Sequence, residues 1–441
     1  MRPVTVCLVI LLGLALRLLF KRYASQTFIN SFAYSPVDQW DSILEGVFLL
    51  RSGLPVYDND IVHQPPLALH LWSLAVSYIG ESRCISCFLI MELVMIFSMM
   101  RLCNVFSKVL LALDSRRKKT NTAGEIHPSS QDLLVSENSF IGAPIRVLIC
   151  YCFNPFSILA FAAQSTSIVW NIICVWTMIT CFQDHLFISS CLCALGCYLR
   201  LYPGYLLLPI LAVAYVGLLR PVRLPQRVLR ITSCLVGFVG TFGGLIWGSY
   251  VLEGHDWSFM DSIYLHQLRF VDCTPQLGIY WYLFVEMFEH FYELFIWVFQ
   301  LLLASLVVAM LMRFYEEPVF LCYTILLITN VLQPYHSIGE FGYLIALLPV
   351  WGFLQTQCRL YLPTTCVLLA SLVLTPLFHY MWLQPGTANA NFYFAACMVY
   401  AVGQIFLITD MLNSFVRREY LLRVGSKLQL SSGQQLVLVN S

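Results

Sequence analysis

Residues 166–183 read TSIVWNIICVWTMITCFQ, and two further apolar runs follow almost at once, LFISSCLCALGCYLR at 186–200 and YPGYLLLPILAVAYVGLL at 202–219. A helix needs about 20 apolar residues to cross ~30 Å of hydrocarbon, and runs close to that length recur along nearly the whole chain. The chain is 59% hydrophobic and 11% charged, whereas soluble domains contain roughly 25% charged residues. We therefore predict an all-α, polytopic membrane protein with one integral membrane domain over residues 1–412 and a cytosolic tail over 413–441.

Candidate membrane spans cover most of the chain, and their number and length predict about 12 transmembrane helices. Several are short or interrupted by proline. Such breaks persist at membrane depth only where protein or a water-filled cavity satisfies the freed backbone groups, so we predict broken or re-entrant segments around an interior cavity. The run at 65–80 is the first of these, because it is short and opens with Pro65-Pro66. The candidate spans are 4–20, 65–80, 85–104, 145–163, 166–183, 186–200, 202–219, 231–252, 279–313, 317–334, 338–355, 360–382 and 392–412.

Charged residues between these runs predict the orientation in the membrane, because cytosolic loops carry an excess of lysine and arginine. Residues 22–64 carry several carboxylates, among them Asp60, and we predict a lumenal loop there. Residues 114–139 contain RRKK at 116–119 followed by threonine, asparagine, serine and proline, which predicts a flexible cytosolic loop. Residues 220–230 hold four arginines and predict a basic cytosolic loop.

Several classes of function find no support in the sequence. The net charge is only +1, which gives no basic footprint for a nucleic-acid partner. We find no GxSxG, Walker, GxGxxG or HExxH motif. Most of the 17 cysteines lie singly within apolar runs, and the CxxC pair of Cys84 and Cys87 has no second pair to complete a zinc site. We predict no metal and no cofactor.

Two aspartates of the first loop keep a catalytic alternative open. Membrane glycosyltransferases that use a dolichol-linked sugar often carry acidic residues in their first lumenal loop, and Asp38 and Asp41 lie about there. One of them would then act as a general base or a metal contact. The two flank Trp40 without forming a tight acidic pair, so we favour solvated loop charges. A transporter or lipid scramblase is a third hypothesis, but we see no inverted repeat.

A polar cluster lies inside the aromatic run 280–299. Its ionisable residues share one face if the run is a single helix, since they are three, four and seven residues apart. Ionisable groups at membrane depth are costly and indicate a partner or a wet cavity, so this face is predicted to meet lipid or a partner subunit. A metal site is less favoured, because one helix does not guarantee a third ligand. The ionisable residues are Glu286, Glu289, His290 and Glu293, and the predicted face comprises Trp281, Glu286, Phe288, Glu289 and His290.

A second polar island is the loop PGTANAN at 385–391. Gly386 lets a ligand approach the backbone closely, and Asn389 and Asn391 offer neutral donors and acceptors suited to sugar hydroxyls or a phosphate. Phe392 and further aromatic residues follow directly. An ordinary Gly/Asn turn is the plainer interpretation of the loop alone.

Three further ionisable residues, His336, Glu340 and Asp410, lie within or beside candidate spans. Polar groups at such positions commonly pair across helices. We predict structural pairing rather than catalysis for all three.

A series of motifs then runs through the chain in a fixed order. They are NPF at 154–156, LYP at 201–203, DCTPQLG at 272–278, EMFEHF at 286–291, GTANANF at 386–392, GQI at 403–405 and RREY at 417–420. In this order they resemble the PIG-U family, the multispanning subunits of the glycosylphosphatidylinositol (GPI) transamidase. Thr387 and Ala390 stand where the family often has serine, so the two asparagines carry over while a hydroxyl contact at position 390 does not.

The resemblance implies a non-catalytic subunit of the endoplasmic-reticulum transamidase that binds and presents GPI for attachment to the C-terminus of proproteins after signal cleavage. It implies a caspase-like catalytic partner and other membrane partners, and a fold similar to that of the C-type membrane glycosyltransferases. Fold likeness does not prove transferase activity. GPI joins acyl chains to a polar glycan, so we predict that Gly386, Asn389, Asn391 and Phe392 bind it. A dolichol-linked-sugar-dependent glycosyltransferase of GPI precursor assembly is the alternative.

Overall fold

The computed structural model describes residues 3–58, 61–120, 126–218 and 222–425. Parts of the three predicted loops, including Asp60 and Arg220, lie outside the described residues, as do residues 426–441 of the predicted tail. The predicted lumenal and cytosolic orientation of these loops stays a prediction.

The described residues form helices joined by short connections. The α-helices are α1 (Pro3–Tyr23), α2 (Gln26–Ala33), α3 (Trp40–Ser52), α4 (Pro66–Ile79), α5 (Ile85–Thr120), α6 (Ala143–Cys152), α7 (Pro155–Ala162), α8 (Ser167–Phe182), α9 (Leu186–Leu199), α10 (Leu207–Val216), α11 (Leu224–Leu252), α12 (Ser258–Met260), α13 (His266–Arg269), α14 (Tyr280–Val285), α15 (Glu289–Phe314), α16 (Pro318–Leu332), α17 (Ile338–Ala346), α18 (Tyr361–Leu383) and α19 (Ala390–Val424). Short 3₁₀ helices cover Glu81–Arg83, Pro128–Leu133, Glu137–Phe140, Tyr202–Leu206 and Leu348–Gln357, and a π-helical turn covers Asp261–Leu265.

Six of these helices are long and apolar enough to cross a membrane, namely α1, α5, α11, α15, α18 and α19. Two helix pairs bent by 66° and 63° raise the number to eight if each pair is one span. The all-α, multi-pass prediction is thus confirmed, whereas the predicted number of about 12 spans is not. The likeness to the C-type glycosyltransferase fold stays a prediction.

The shorter apolar helices account for the difference. α8 has 16 residues and rises about 24 Å at 1.5 Å per residue, which is less than the ~30 Å of hydrocarbon. α16 is buried at every residue from Pro318 to Val331. A helix that is apolar on all sides is stable inside a protein as well as in lipid. α8 and α16 therefore lie in the interior of the bundle, whereas α11 and α18 expose many of their apolar side chains.

Glycines set the position of α17 in this interior. A Cβ atom at Gly339 would lie 2.4 Å from the Ser167 hydroxyl, and one at Gly342 would lie 2.7 Å from the Ser157 hydroxyl. Because only glycine permits such an approach, α17 packs with its backbone close to α7 and α8. Residues at the start of α17 are thereby held in the centre of the bundle.

Basic residues near the ends of α5 and α19 gather at one end of the bundle. Arg116 donates to the carbonyl of Gly217 over 3.3 Å, next to the predicted basic loop. Arg117 donates to Glu419 over 2.8 Å, and Arg418 pairs with Asp114. The end of α5, the end of α10 and the end of α19 therefore lie at the same end of the protein, where all three predicted cytosolic segments begin.

Candidate functional site

The loop between α18 and α19 places the four predicted binding residues together. Gly386 has a φ of 65°, a left-handed conformation that favours glycine. Asn389 caps α19, because its side-chain oxygen accepts the backbone N–H of Asn391 at 3.1 Å. Gly386, Asn389, Asn391 and Phe392 are all exposed. The loop is thus an ordered turn whose amide and aromatic side chains remain accessible.

Tyr282 joins this loop to the aromatic run at 280–299, which was predicted as a separate site. Its hydroxyl donates a hydrogen bond to Oδ1 of Asn391, and its ring stacks on Phe394 with 4.5 Å between centroids. Desolvation and the neighbouring Glu286 carboxylate raise the pKa of the Tyr282 phenol, so the phenol stays protonated and able to donate at neutral pH. Asn391, Tyr282 and Glu286 therefore form one polar group at the surface.

A buried aromatic floor supports these polar side chains. Trp281 is 2% exposed and lies 5.8 Å from the ring of Tyr393 and 6.4 Å from the ring of Trp382. Tyr393 is fully buried, and its hydroxyl donates to the carbonyl of Ser31 at 2.8 Å. Aromatic contacts of this kind pack large side chains in defined orientations. The floor fixes the start of α19 against α14, α18 and α2.

The predicted single face over 280–299 is wrong, because the run is broken. α14 ends at Val285 and α15 begins at Glu289, with Phe288 in an extended conformation between them. The break lets Trp281 turn into the core, while Phe288 is 73% exposed. Glu286 is separated from Glu289 and therefore belongs to the Tyr282 group described above.

Glu289 and His290 lie in the first turn of α15 and are exposed. A carboxylate there interacts favourably with the positive end of the helix dipole. The His290 ring lies 4.1 Å from the ring of Phe291. Within the described ranges no group of three histidine, cysteine, aspartate or glutamate side chains comes together as a metal site. These two residues thus present a polar surface beside the exposed Phe288.

The prediction of solvated loop charges is wrong for Asp38, which is buried, and agrees with the structure for Asp41, which is exposed. Asp38 is 2% exposed, and its Oδ2 accepts hydrogen bonds from Ser165 at 2.6 Å and Ser337 at 2.8 Å. Burial raises the pKa of Asp38, and the Arg200 charge partly opposes that rise. Asp41 is exposed on α3. A cavity beside Ser165 has a volume of about 20 Å³, whereas small-molecule sites usually have ~300–1,000 Å³.

An ion pair between Arg200 and Glu340, which was not predicted from the sequence, lies in the centre of the bundle. Arg200 at the end of α9 is 1% exposed and lies 3.1 Å from Glu340 of α17. Trp170 donates to the same carboxylate over 2.7 Å, and Gln333 donates over 2.6 Å. Glu340 was predicted to be a paired structural group, and this pairing is confirmed. An arginine next to a long apolar run was the available signal for its partner.

Comparisons with known proteins place most of the chain in one family. The family model described as "GPI transamidase subunit PIG-U" matches residues 7–400, which is most of the chain. The match includes the aromatic run, the 386–392 loop and the first part of α19. It therefore covers both halves of the site joined by Tyr282.

Curated relatives match over similar lengths. The GPI-anchor transamidase component PIGU of Homo sapiens is 28% identical over 407 residues, covering 92% of each chain. The PIGU protein of Cricetulus griseus gives the same identity and coverage. The GPI transamidase component GAB1 of Saccharomyces cerevisiae is 26% identical over 393 residues, covering 88% of this chain and 87% of the yeast protein. The chain therefore belongs to the PIG-U family and is a subunit of the GPI transamidase complex.

Proposed function

We propose that this subunit is non-catalytic, binds the GPI lipid in the endoplasmic-reticulum membrane and presents it for attachment to proproteins. The observation that carries the proposal is the hydrogen bond from Tyr282 to Asn391. It joins the 386–392 loop to the aromatic floor, so that amide groups, a phenol and apolar surface lie side by side. A lipid with a glycan headgroup needs that combination.

The chemistry of the surface suits the two parts of GPI. Asn389 and Asn391 offer amide groups to sugar hydroxyls and phosphate oxygens. Phe392 is 50% exposed, and Val285 is 56% exposed next to Glu286. In this arrangement the glycan binds at the loop, and the acyl chains lie along the exposed apolar side chains. Gly386 has a positive φ, carries no Cβ atom and has open space beside it. A ligand can therefore approach the backbone of the turn closely.

The distribution of charge supports a lumenal position for this loop. α18 and α19 run in opposite directions, and α18 with 23 residues spans about 35 Å. The 386–392 loop is therefore at the opposite end of the hairpin from Arg417 and Arg418. Because basic segments favour the cytosol, we place the Arg418 end in the cytosol and the loop in the lumen.

In this proposal a caspase-like partner subunit carries out the chemical step of transamidation. Its two substrates are GPI and the proprotein. The buried position of Asp38 supports a structural role for that carboxylate, because it is 2% exposed and accepts hydrogen bonds from Ser165 and Ser337. This weighs against the dolichol-linked-sugar-dependent glycosyltransferase, which requires an accessible acid or base.

Depletion of the protein from cells distinguishes a GPI-presenting subunit from a glycosyltransferase of GPI precursor assembly. After labelling the GPI pathway with a radioactive sugar precursor, we expect complete, ethanolamine-bearing GPI to accumulate together with proproteins that keep their C-terminal signals. That result places the protein at the attachment step. Accumulation of a truncated precursor that lacks a sugar would contradict the proposal and make the protein a glycosyltransferase.

Combined substitution of Asn389→Ser and Asn391→Ala is expected to reduce transamidation by roughly tenfold, since hydrogen bonds to a charged or polar headgroup contribute about 1–2 kcal/mol. Serine at position 389 preserves the helix cap, so the loss is not caused by unfolding of α19. The measurement is surface display of a GPI-anchored reporter in cells that carry only the variant.

Asn138→Ala is the matched control, because Asn138 is an exposed asparagine far along the chain from this loop. Both variants must co-purify with the partner subunits in equal yield. If the loop variant, in an intact complex, displays the reporter at the control level, the 386–392 loop is not the GPI site. That result would not contradict a role in the attachment step, which the depletion experiment tests separately.

A further inference from the structure

A second candidate ligand site lies at the other end of the α18–α19 hairpin. A cavity of about 500 Å³ opens between the turn before α18 and the second half of α19. Its volume falls within the range of small-molecule and cofactor sites. Its lining residues are Gln357, Arg359, Leu360, Asp410, Asn413, Val416, Arg417 and Tyr420.

One stripe of α19 supplies the wall of this cavity. Asp410, Asn413, Arg417 and Tyr420 follow one another at spacings of three, four and three residues, so their side chains share one face of the helix. The opposing wall comes from the turn at 357–360. The cavity is therefore built by two elements that the hairpin holds together, and not by a single exposed side chain.

The charges in the cavity favour an anion. Arg359 and Arg417 are cationic, and Asp410 is the one carboxylate among the lining residues. Asp410 already accepts the backbone N–H of Arg359 at 2.8 Å, which fixes the turn. The lining thus carries a net positive charge together with an amide at Asn413 and a phenol at Tyr420.

Arg417 differs in its contacts from the arginine that follows it. Arg418 is 3% exposed, pairs with Asp114 and donates to the carbonyl of Leu133 at 3.1 Å. Nε of Arg417 is removed from solvent yet has no hydrogen-bond partner among the described residues. Buried donors are nearly always satisfied, and a guanidinium is suited to bind phosphate oxygens in pairs. Arg417 is half-buried at the cavity wall, so its guanidinium together with the net positive charge of the lining favours a phosphate ligand.

The position along the hairpin indicates a lipid as the source of that phosphate. Asp410 lies about 30 Å and Arg417 about 40 Å from the start of α19, at the far side of a ~30 Å hydrocarbon layer. Tyr361 is 62% exposed and Tyr420 is 45% exposed beside the cavity, as aromatic residues at a membrane interface are. Leu362, 71% exposed, continues the surface toward the hydrocarbon.

We propose that this cavity binds the phosphate headgroup of an anionic phospholipid, with Arg417 and Arg359 on the phosphate oxygens and the acyl chains along Leu362. The site is distinct from the proposed GPI site, which lies at the other end of the hairpin. Its test does not depend on transamidation.

The test uses the full transamidase complex in nanodiscs of phosphatidylcholine with phosphatidic acid as the probe. Native mass spectrometry then counts the phosphatidic acid molecules that remain bound after release from the nanodisc. We expect Arg417→Gln and Arg359→Gln each to lower retention roughly tenfold, as the loss of a charge-assisted hydrogen bond predicts. Arg417→Lys, which keeps the charge, should retain an intermediate amount.

Arg423→Gln is the matched control, because Arg423 is an exposed arginine of the same helix outside the cavity lining. Equal retention by the Arg417→Gln, Arg359→Gln and Arg423→Gln complexes would overturn the proposal. Glycerol 3-phosphate supplies the same phosphate without acyl chains. If it displaces phosphatidic acid at equal concentration, the lipid assignment fails in favour of a soluble phosphate ester.

Discussion

Replacing Arg200 by methionine is expected to lower the free energy of unfolding by about 3–5 kcal/mol, because the change leaves the Glu340 carboxylate buried without its cation. The guanidinium is 1% exposed, so water cannot replace it. It also donates to the carbonyl of Tyr335 and lies 5.1 Å from the centroid of the Trp170 ring. Methionine keeps part of the volume and none of these polar contacts.

The size of the effect follows from how many segments meet at this pair. Glu340 accepts hydrogen bonds from Trp170 of α8 and from Gln333 after α16, while Arg200 ends α9. Buried charges of this kind are stable only when every partner is present. The low dielectric of the interior strengthens the ion pair, and it also makes a buried charge without a partner more costly. Loss of Arg200 should therefore loosen α8, α9, α16 and α17 together.

Thermal melting of the purified protein in detergent, followed by size-exclusion chromatography, measures the effect. Arg230→Met is the matched control, because Arg230 pairs with Asp184 at the surface, where ion pairs contribute about 0–1 kcal/mol. Glu340→Gln combined with Arg200→Met removes both charges and should recover part of the loss. Equal melting temperatures for the two arginine variants would show that Arg200 and Glu340 do not form a buried ion pair.

Composition was sufficient to predict the helical membrane class, but not which apolar runs face lipid. A run such as 318–332 is apolar on all sides, and the same pattern suits a membrane span and a helix surrounded by protein. Length is the physical difference, since 15 residues rise only about 23 Å. The predicted number of spans was too high because short apolar helices, α16 among them, were counted with long ones.

The residues of the candidate site were largely predicted from the sequence, but the contact between its two regions was not. The polar loop at 386–392 and the aromatic residue Trp281 were both identified from sequence. The two regions are joined by Tyr282, which lies 109 residues before its partner Asn391, and nothing local indicates that contact. The break at 286–288 was missed because EMF contains neither proline nor glycine. Trp281 and Phe284 before the break are buried whereas Phe288 after it is 73% exposed, so the two sides of the break differ in tertiary environment and not in any local sequence signal.

Arg17 sits within the first apolar helix, where a charge without partners would be costly. The structure gives it three close partners: Nε lies 3.3 Å from the Glu92 carboxylate of α5 as an ion pair, Nη1 donates to the carbonyl of Cys152 at 2.8 Å, and Nη2 donates to the carbonyl of Tyr151 at 3.0 Å. Tyr151 in turn donates to Glu92 at 3.0 Å. The side chain is fully buried and therefore holds α1, α5 and α6 together.

Arg17→Met is expected to lower the free energy of unfolding by about 3–5 kcal/mol, since it leaves Glu92 as an uncompensated buried charge and two carbonyls without donors. Arg17→Lys should have a smaller effect, because one ammonium keeps the charge but does not reproduce the planar fork that serves a carboxylate and two carbonyls at once. Melting in detergent measures both. Arg22→Met, at an exposed arginine of the same helix, is the control and should change stability by less than about 1 kcal/mol. Melting of Arg17→Met at the temperature of Arg22→Met would contradict the buried ion pair, whereas the order wild type, lysine, methionine would show that both the charge of Arg17 and its geometry hold α1 in the bundle.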